Sequence, residues 1–315
     1  MRAKSIHQWI NNSSSLGEII RKDYIPYAAD SIDLWRFSND RSQSEGIINY
    51  LNYMWSFMSI HEGIVYDVED FEVNPGDKAS CAFFNTGLMS SVEYGPDFFF
   101  AIFSKADTVW HLNGLFIRGY NDIEYRELLR QRAYKSVLPV HYKKPLLNEV
   151  RVERIRGSHF YCDNIHRTTT RFKNTINSFA PDDTVAQHIL YCNWVLWQRI
   201  RKSESEPQDL FAIEHSNLLE IWYAGEAKGN DFKCKNPRLD FVFPVFDLNQ
   251  SCLDGCICLK HRKSKDGIQT MTVKTLFTPK MAYRDALLLK KHNELASSWL
   301  NKSNVEQSIQ DGCEE

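Results

Sequence analysis

Six groups able to do acid/base or anion chemistry fall within thirteen residues: His159, Asp163, Asn164, His166, Arg167 and Arg171, in "SHFYCDNIHRTTTRF". A histidine beside a carboxylate can move a proton near neutral pH, and arginines can hold an anion in two-pronged hydrogen bonds. On this reading His159 is the acid/base, with Asp163 or Asp285 as its partner. The same run also reads as a polar loop that ties two elements together by hydrogen bonds. Three successive threonines disfavour one continuous helix through its second half.

Two further stretches complete a candidate pocket. In "CAFFNTGLMSSVEYGPDFFFAIFSK", Asn85, Thr86 and Gly87 interrupt very apolar surroundings. They read either as a hairpin turn or as a backbone-rich pocket, since glycine lets backbone approach a ligand closely and Asn and Thr offer neutral hydrogen bonds. In "TPKMAYRDAL" a helix begins whose positive end and Tyr283 ring suit an anion and a stacked base. The ligand-binding set is thus Asn85, Thr86, Gly87, Asn164, Arg167, Arg171 and Tyr283, and the catalytic set His159, Asp163 and Asp285.

Other chemistries fail on spacing. Cys252, Cys256 and Cys258 with His261 match no usual zinc pair. If Asp266-Gly267 is a two-residue hairpin loop, Cys256 faces Phe277 and Cys258 faces Thr275. Met271 and Val273 then share the cysteines' face and His261 points to the other. No metal site is expected, and the sequence names no cofactor. Phosphate-loop, dinucleotide, nucleophile-elbow, zinc-protease and kinase signatures are absent.

Elements must hold these groups in place. "SEGIINYLNYMWSFMSI" carries Ile47, Ile48, Leu51, Met54, Trp55 and Met58 at helical spacing, with Ser44 as a possible cap and Gly63 beyond its end. "GIVYDVEDFEV" reads as short strands and "NPGDK" as a turn. "ASCAFFNTGL", "FFFAIFSK" and "VWHLNGLFIRGY" read as an antiparallel meander. "NDIEYRELLRQRAYK" reads as a charged helix, and a longer one follows Pro181. "RLDFVFPVFDL" is a strand whose Pro244 suits an edge or a bulge. "LDGCICLKHRKSK" and "IQTMTVKTLFT" form a hairpin, and Thr278-Pro279 caps and starts a closing helix. Strands and helices do not alternate, so an α+β fold with a mostly antiparallel mixed sheet and packed helices is expected. It is read as a single domain over residues 1–300 with a polar, mobile tail over 301–315. No internal repeat is visible.

Composition limits partners. The net charge of -2 argues against a generic polyanion binder. Yet residues 118–173 hold thirteen basic against six acidic side chains, a hint of an anionic partner. No apolar run is long enough to span a bilayer, and the N-terminus lacks an apolar signal core. Eight cysteines without such a signal read as reduced thiols, and the cytoplasm is the expected compartment.

Four blocks resemble a bacterial domain family of unknown function, numbered 3825 and described as associated with the OST-HTH (LOTUS) RNA-binding module. They are "EGIINYLNYMWSFMSIHEGIVYD", then "AFFNTGL" with "FFFAIFSKADTVWHLNGLF", then "LPVHYKKPLLNEVRVERIRGSHFYCDNIHRTTTRF". The last is "LDFVFPVFDL" with "LDGCICLKHR" and "KTLFTPKMAYRDALLLKKHNELASSWL". They cover roughly residues 15–300, with Phe84–Leu88 and Met281–Tyr283 the specific parts. The family's closing motif continues Asn-Asn-Ala-Arg, whereas this chain has Arg284-Asp285-Ala286-Leu287, so a family arginine is Leu287 here. The resemblance implies RNA, a nucleotide or an RNA-associated protein as partner. Three functions follow as expectations: an RNA- or nucleotide-binding domain with a polar anion pocket, a phosphodiester or nucleotide hydrolase using a His/Asp pair, and a non-catalytic interaction domain.

Overall fold

The structure is a computed structural model that describes residues 9–10, 13–60, 63–68, 78–94, 97–107, 109–117, 150–153, 164–179, 218–223, 238–246, 252–263, 265–266, 269–290 and 292–314. The chain forms two compact units where the sequence suggested one domain. The first comprises Met1–Lys143 and Ala224–Pro237, the second Lys144–Tyr223 and Arg238–Glu315. Each is built on a five-stranded, mostly antiparallel sheet with helices packed on it, an α+β fold. His159, Asp163, the expected turn at 74–77 and the helices expected at 121–135 and after Pro181 lie outside the described residues.

In the first unit the strands are β1 (Trp9–Ile10), β2 (Val65–Tyr66), β3 (Cys81–Met89), β4 (Phe98–Ala106) and β5 (Val109–Ile117), in the order β1-β5-β4-β3-β2. β3 to β5 form the expected antiparallel meander, β2 extends it beside β3, and β1 adds to β5 in parallel. Helix α1 (Ser13–Ile19) runs into a π-helical turn, Ile20–Tyr24, and α2 (Glu45–Ile60) follows. The apolar stripe read on α2 is buried as its spacing requires. Trp55 anchors it on the sheet, with ring centroids 4.5 Å from Phe103 and 6.1 Å from Phe84. Gly46 is required there, because a Cβ would lie 2.2 Å from the Trp35 carbonyl oxygen. The other sheet face buries Phe83, Phe100, Ile102 and Val65. That explains the unbroken aromatic run of β4: a strand buried on both faces has no polar alternation to show.

In the second unit the strands are β6 (Val150–Glu153), β7 (Leu219–Tyr223), β8 (Arg238–Phe246), β9 (Leu253–Lys263) and β10 (Gln269–Phe277), in the order β6-β10-β9-β8-β7. Among the described residues its helices are α3 (Thr170–Phe179), α4 (Pro279–Leu287), α5 (His292–Ala296) and α6 (Lys302–Gln310). Pro244 sits past the last β7–β8 pair, Leu219 with Val242, so no β7 partner needs its missing N–H. Thr278 caps α4 by accepting the Met281 N–H at 3.0 Å, and Pro279 takes the first helical position.

The β9–β10 hairpin matches the expected pairing only in part. Cys256 faces Phe277 and Cys258 faces Thr275, and both cysteines are buried. An extra residue, Lys274, then shifts the register, so that Leu259 faces Val273 and His261 faces Met271. Met271 and Val273 are thereby moved off the cysteines' face, and the innermost described pair is Lys263 with Gln269 rather than a two-residue loop. Where the sequence suggested a mobile tail, α6 buries Val305 and Ser308 and starts at Asn301, whose side chain accepts the Asn304 N–H at 3.0 Å. Burial of Val305 offsets the ordering of a sequence that is otherwise polar.

Candidate functional site

In the second unit, Asn164 to Lys173 enter as a tight turn and leave as a helix. The Arg167 N–H donates to the Asn164 carbonyl at 3.0 Å, closing a 3-10 turn over Ile165–Arg167. The Thr168 hydroxyl returns to the Ile165 carbonyl at 2.7 Å. Thr169 then caps α3, its hydroxyl oxygen accepting the Phe172 N–H at 3.2 Å. The three threonines thus end one turn and begin the next element, as their hydroxyl chemistry favours.

The anion expected for Arg171 is present, and it belongs to the protein. Asp254 on β9 is 2% exposed on its side chain and receives Arg171 Nη2 at 2.6 Å. It also accepts the Thr169 hydroxyl at 2.5 Å, and its backbone oxygen takes the Thr169 N–H at 3.0 Å. A second carboxylate, Asp311, lies 3.6 Å from Arg171 Nη1. Arg171 nevertheless keeps 39% of its side chain in solvent. Arg167 donates to the Leu276 carbonyl at 3.0 Å, two residues before the cap of α4. The 164–171 segment and the start of the closing helix therefore meet through the end of β10.

The residues after α6 bind the same segment. The Thr170 N–H donates to the Asp311 carbonyl at 2.8 Å, and the Glu314 N–H to the His166 carbonyl at 3.1 Å. Lys173 Nζ donates to the Gly312 carbonyl at 3.4 Å. Burial and the neighbouring Arg167 and Lys173 charges lower the His166 pKa, partly opposed by Glu314. Burial raises the Cys313 thiol to about 12, and it also raises that of Cys256, so neither is a thiolate near neutral pH.

Asn85, Thr86 and Gly87 belong to the first unit and lie inside strand β3 rather than in a hairpin turn. They are a bulge inside β3, between the pairs Asn85–Phe100 and Met89–Phe98. The Thr86 hydroxyl donates to the Phe99 carbonyl at 2.8 Å and accepts the Leu88 N–H at 3.1 Å. The Tyr50 hydroxyl donates to the Thr86 carbonyl at 2.6 Å, and Asn85 Oδ1 accepts the Gly87 N–H at 2.9 Å. Gly87 has φ of 76°, a left-handed conformation that glycine adopts without a Cβ penalty. Thr86 is fully buried, so it presents nothing to a ligand.

On α4, Tyr283 and Asp285 are both buried. The Tyr283 hydroxyl lies 2.9 Å from His292 Nδ1, which fixes its ring inside the fold rather than on a surface where a base could stack. A nearby buried carboxylate, Glu220 on β7, is matched by Lys290 at 3.1 Å.

Of the ten residues proposed from sequence, the structure joins Asn164, Arg167 and Arg171 in one segment and places Tyr283 and Asp285 on α4 of the same unit. The decisive missed residue is Asp254. Its signal was available: strand alternation puts Asp254 on the face of Cys256 and Cys258, and a carboxylate on an apolar face calls for a cation. Thr169, Asp311 and Gly255 were missed with it. Gly255 admits the turn, since a Cβ there would meet the Thr168 methyl at 3.2 Å.

Among the described residues no group of acidic, histidine or cysteine side chains could hold a metal ion, and no helix is long and apolar enough to cross a membrane. Fold and site together define an α+β chain of two mixed five-stranded sheets with an ionic corner in the second. Comparison with protein-family models, with curated proteins and with solved structures found no match.

Proposed function

We propose that the chain binds RNA or a nucleotide-like ligand through the cationic segment His166–Lys173 of the second unit. The observation that supports this is Arg171: held by Asp254 at 2.6 Å on a folded element, yet 39% exposed. A cation oriented from behind by a carboxylate loses little side-chain entropy when it meets a phosphate. Arg167 and Lys173 flank it on the same segment. Since no family model matches, these residues support the reading, and the resemblance to the OST-HTH-associated family adds only an expectation of RNA.

The test is fluorescence anisotropy with a labelled single-stranded RNA and with a labelled nucleotide across a salt series. Binding should weaken with salt. Lys173→Gln should reduce the slope of log K against log salt by about one contact, roughly 0.7 for single strands. Binding that is absent at low salt, or unchanged by Lys173→Gln and Arg167→Gln together, overturns it. Turnover of RNA or nucleotide that His159→Ala abolishes in a folded chain would establish the hydrolase instead. A second reading, a non-catalytic protein-interaction domain, is favoured by the local charge balance: Asp254, Asp311 and Glu314 lie beside Arg167, Arg171 and Lys173. Capture of a protein partner by a chain that ignores RNA would support it.

A further inference from the structure

The two sheets repeat one plan. Each has its first strand parallel to its fifth, and the second to fifth strands form an antiparallel meander. In chain order both read first-fifth-fourth-third-second. Each chain path also goes through helical structure between its first and second strands: α1, the π turn and α2 in one unit, the 3-10 turn and α3 in the other.

Shared topology alone can arise twice, but the irregularities also fall at corresponding places along the ladders. The third-to-fourth ladder is broken near the start of the fourth strand in both units. In the first the extra residues are on the third strand, between Asn85 and Met89 and opposite Phe99. In the second the extra residue is Asp254 on the fourth strand, between the pairs Val245–Gly255 and Phe246–Leu253, so the breaks share a place in the ladder but not the strand that carries the insertion. Phe99 and Asp254 are each the second residue of their fourth strand. The fourth-to-fifth ladder is broken in both by one extra residue on the fifth strand, Asn113 in β5 and Lys274 in β10.

The helical connections dock at corresponding points. Tyr24 packs on Phe99 with ring centroids 5.0 Å apart, and Thr169 and Arg171 bind Asp254. Asp23 accepts the Leu115 N–H of the fifth strand at 3.4 Å, and Arg167 donates to the Leu276 carbonyl of the other fifth strand.

We infer that the chain is an internal duplication: two copies of one five-stranded fold, in register with Phe99 on Asp254, that have diverged at the corner where the first helical connection meets the fourth strand. The first copy closes that corner with aromatic rings, the second with an ion pair. The anion-recognition role proposed above therefore belongs to one copy and is not doubled.

An experimentally determined structure tests the geometry. Superposing β3–β5 on β8–β10 with Phe99 set on Asp254 should bring all five strands together in order and direction. Asn113 and Lys274 should then fall within about one residue of each other, the uncertainty of element boundaries. A best superposition that sets different strands on each other overturns the inference. Common descent is tested on relatives gathered by sequencing: the averaged sequence of their β3–β5 region should align best with that of β8–β10 at this same register. A best register elsewhere means convergence and sinks the duplication, whatever the RNA-binding assay gives.

Discussion

Replacing Asp254 by alanine removes the internal anion on which the second unit's corner is built. The change deletes one charge-assisted contact at 2.6 Å and one hydroxyl contact at 2.5 Å. A fully buried ion pair broken on one side costs about 3–5 kcal/mol. Arg171 is 39% exposed, so water recovers part of that. A charge-assisted bond of about 2 kcal/mol and about 1 kcal/mol for the stranded Thr169 hydroxyl give a loss of roughly 3 kcal/mol. Asp254→Asn keeps an acceptor for Thr169 and should cost about 1–2 kcal/mol. Urea unfolding at fixed salt, with hydrogen exchange over β9 and α3 to locate the loss, reads the effect. A double-mutant cycle with Arg171→Ala should give a coupling of about 1–2 kcal/mol. If Asp254→Ala falls within about 0.5 kcal/mol of the parent chain, or the cycle shows no coupling, the corner is not held as argued.

Gly312→Ala meets both a left-handed backbone, φ of 91°, and a Cβ placed 2.5 Å from Thr170 Oγ1. A loss of about 1–2 kcal/mol with faster exchange of the Thr170 amide is expected, since that amide donates to Asp311. Thr86→Val keeps the shape but removes the hydroxyl that joins Phe99 and Leu88. It should cost about 1–3 kcal/mol in urea unfolding, and a neutral result would mean that the bulge is held by packing alone. Burial raises the Asp23 pKa above 3.8, opposed by the Leu115 N–H and by Lys22. The folded state therefore holds that proton more tightly than the unfolded chain. The stability it contributes is complete below the unfolded pKa and disappears as pH rises through the folded value. Asp23→Asn keeps an acceptor for Leu115 and should flatten the fall in melting temperature above about pH 4; an unchanged pH profile refutes the assignment.

The sequence makes the elements legible where one residue type has one local use. The stripe of α2 could only be buried on one side, and Thr278-Pro279 could only start a helix. The β3–β5 meander is read from the spacing of apolar runs, and the structure has it. The Cys256–Phe277 and Cys258–Thr275 pairs are read from a two-residue loop; the structure has the pairs but not that loop register, because the extra Lys274 offsets the difference. What alternation does not reveal is an extra residue. Lys274 looks like any strand lysine, yet it moves Met271 opposite His261. Asn85-Thr86-Gly87 announces a break in an apolar strand but not its kind. A hairpin, a ligand loop and a bulge all need a glycine at positive φ and side chains that satisfy backbone groups. The choice was made by partners elsewhere along the chain, Tyr50 and Phe99. The site was half legible for a related reason. Arginines within five residues are easy to see, while the carboxylate that balances Arg171 lies eighty-three positions away.

That distance bears on how clusters of polar residues should be read. A run such as Asn164–Arg171 supplies more donors than its own backbone can use, so something must accept from it. In a folded chain the first candidates are the protein's own carboxylates and carbonyls, here Asp254, Asp311 and the Leu276 carbonyl. A ligand can compete only for what these leave in solvent, which at this corner is the outer part of Arg171 together with Lys173. The two copies of the fold differ on this point. At the corresponding corner of the first copy, Tyr24 and Phe99 close the contact with aromatic rings. A duplicated fold that keeps its backbone plan can replace an aromatic pair by an ion pair because both satisfy the same geometric demand, joining a helical connection to the fourth strand where its ladder with the third is broken. The ionic version costs desolvation that the aromatic one does not. Its retention in the second copy is accounted for if the exposed remainder of Arg171 is used, and RNA titration of the Lys173→Gln chain is where that use becomes measurable.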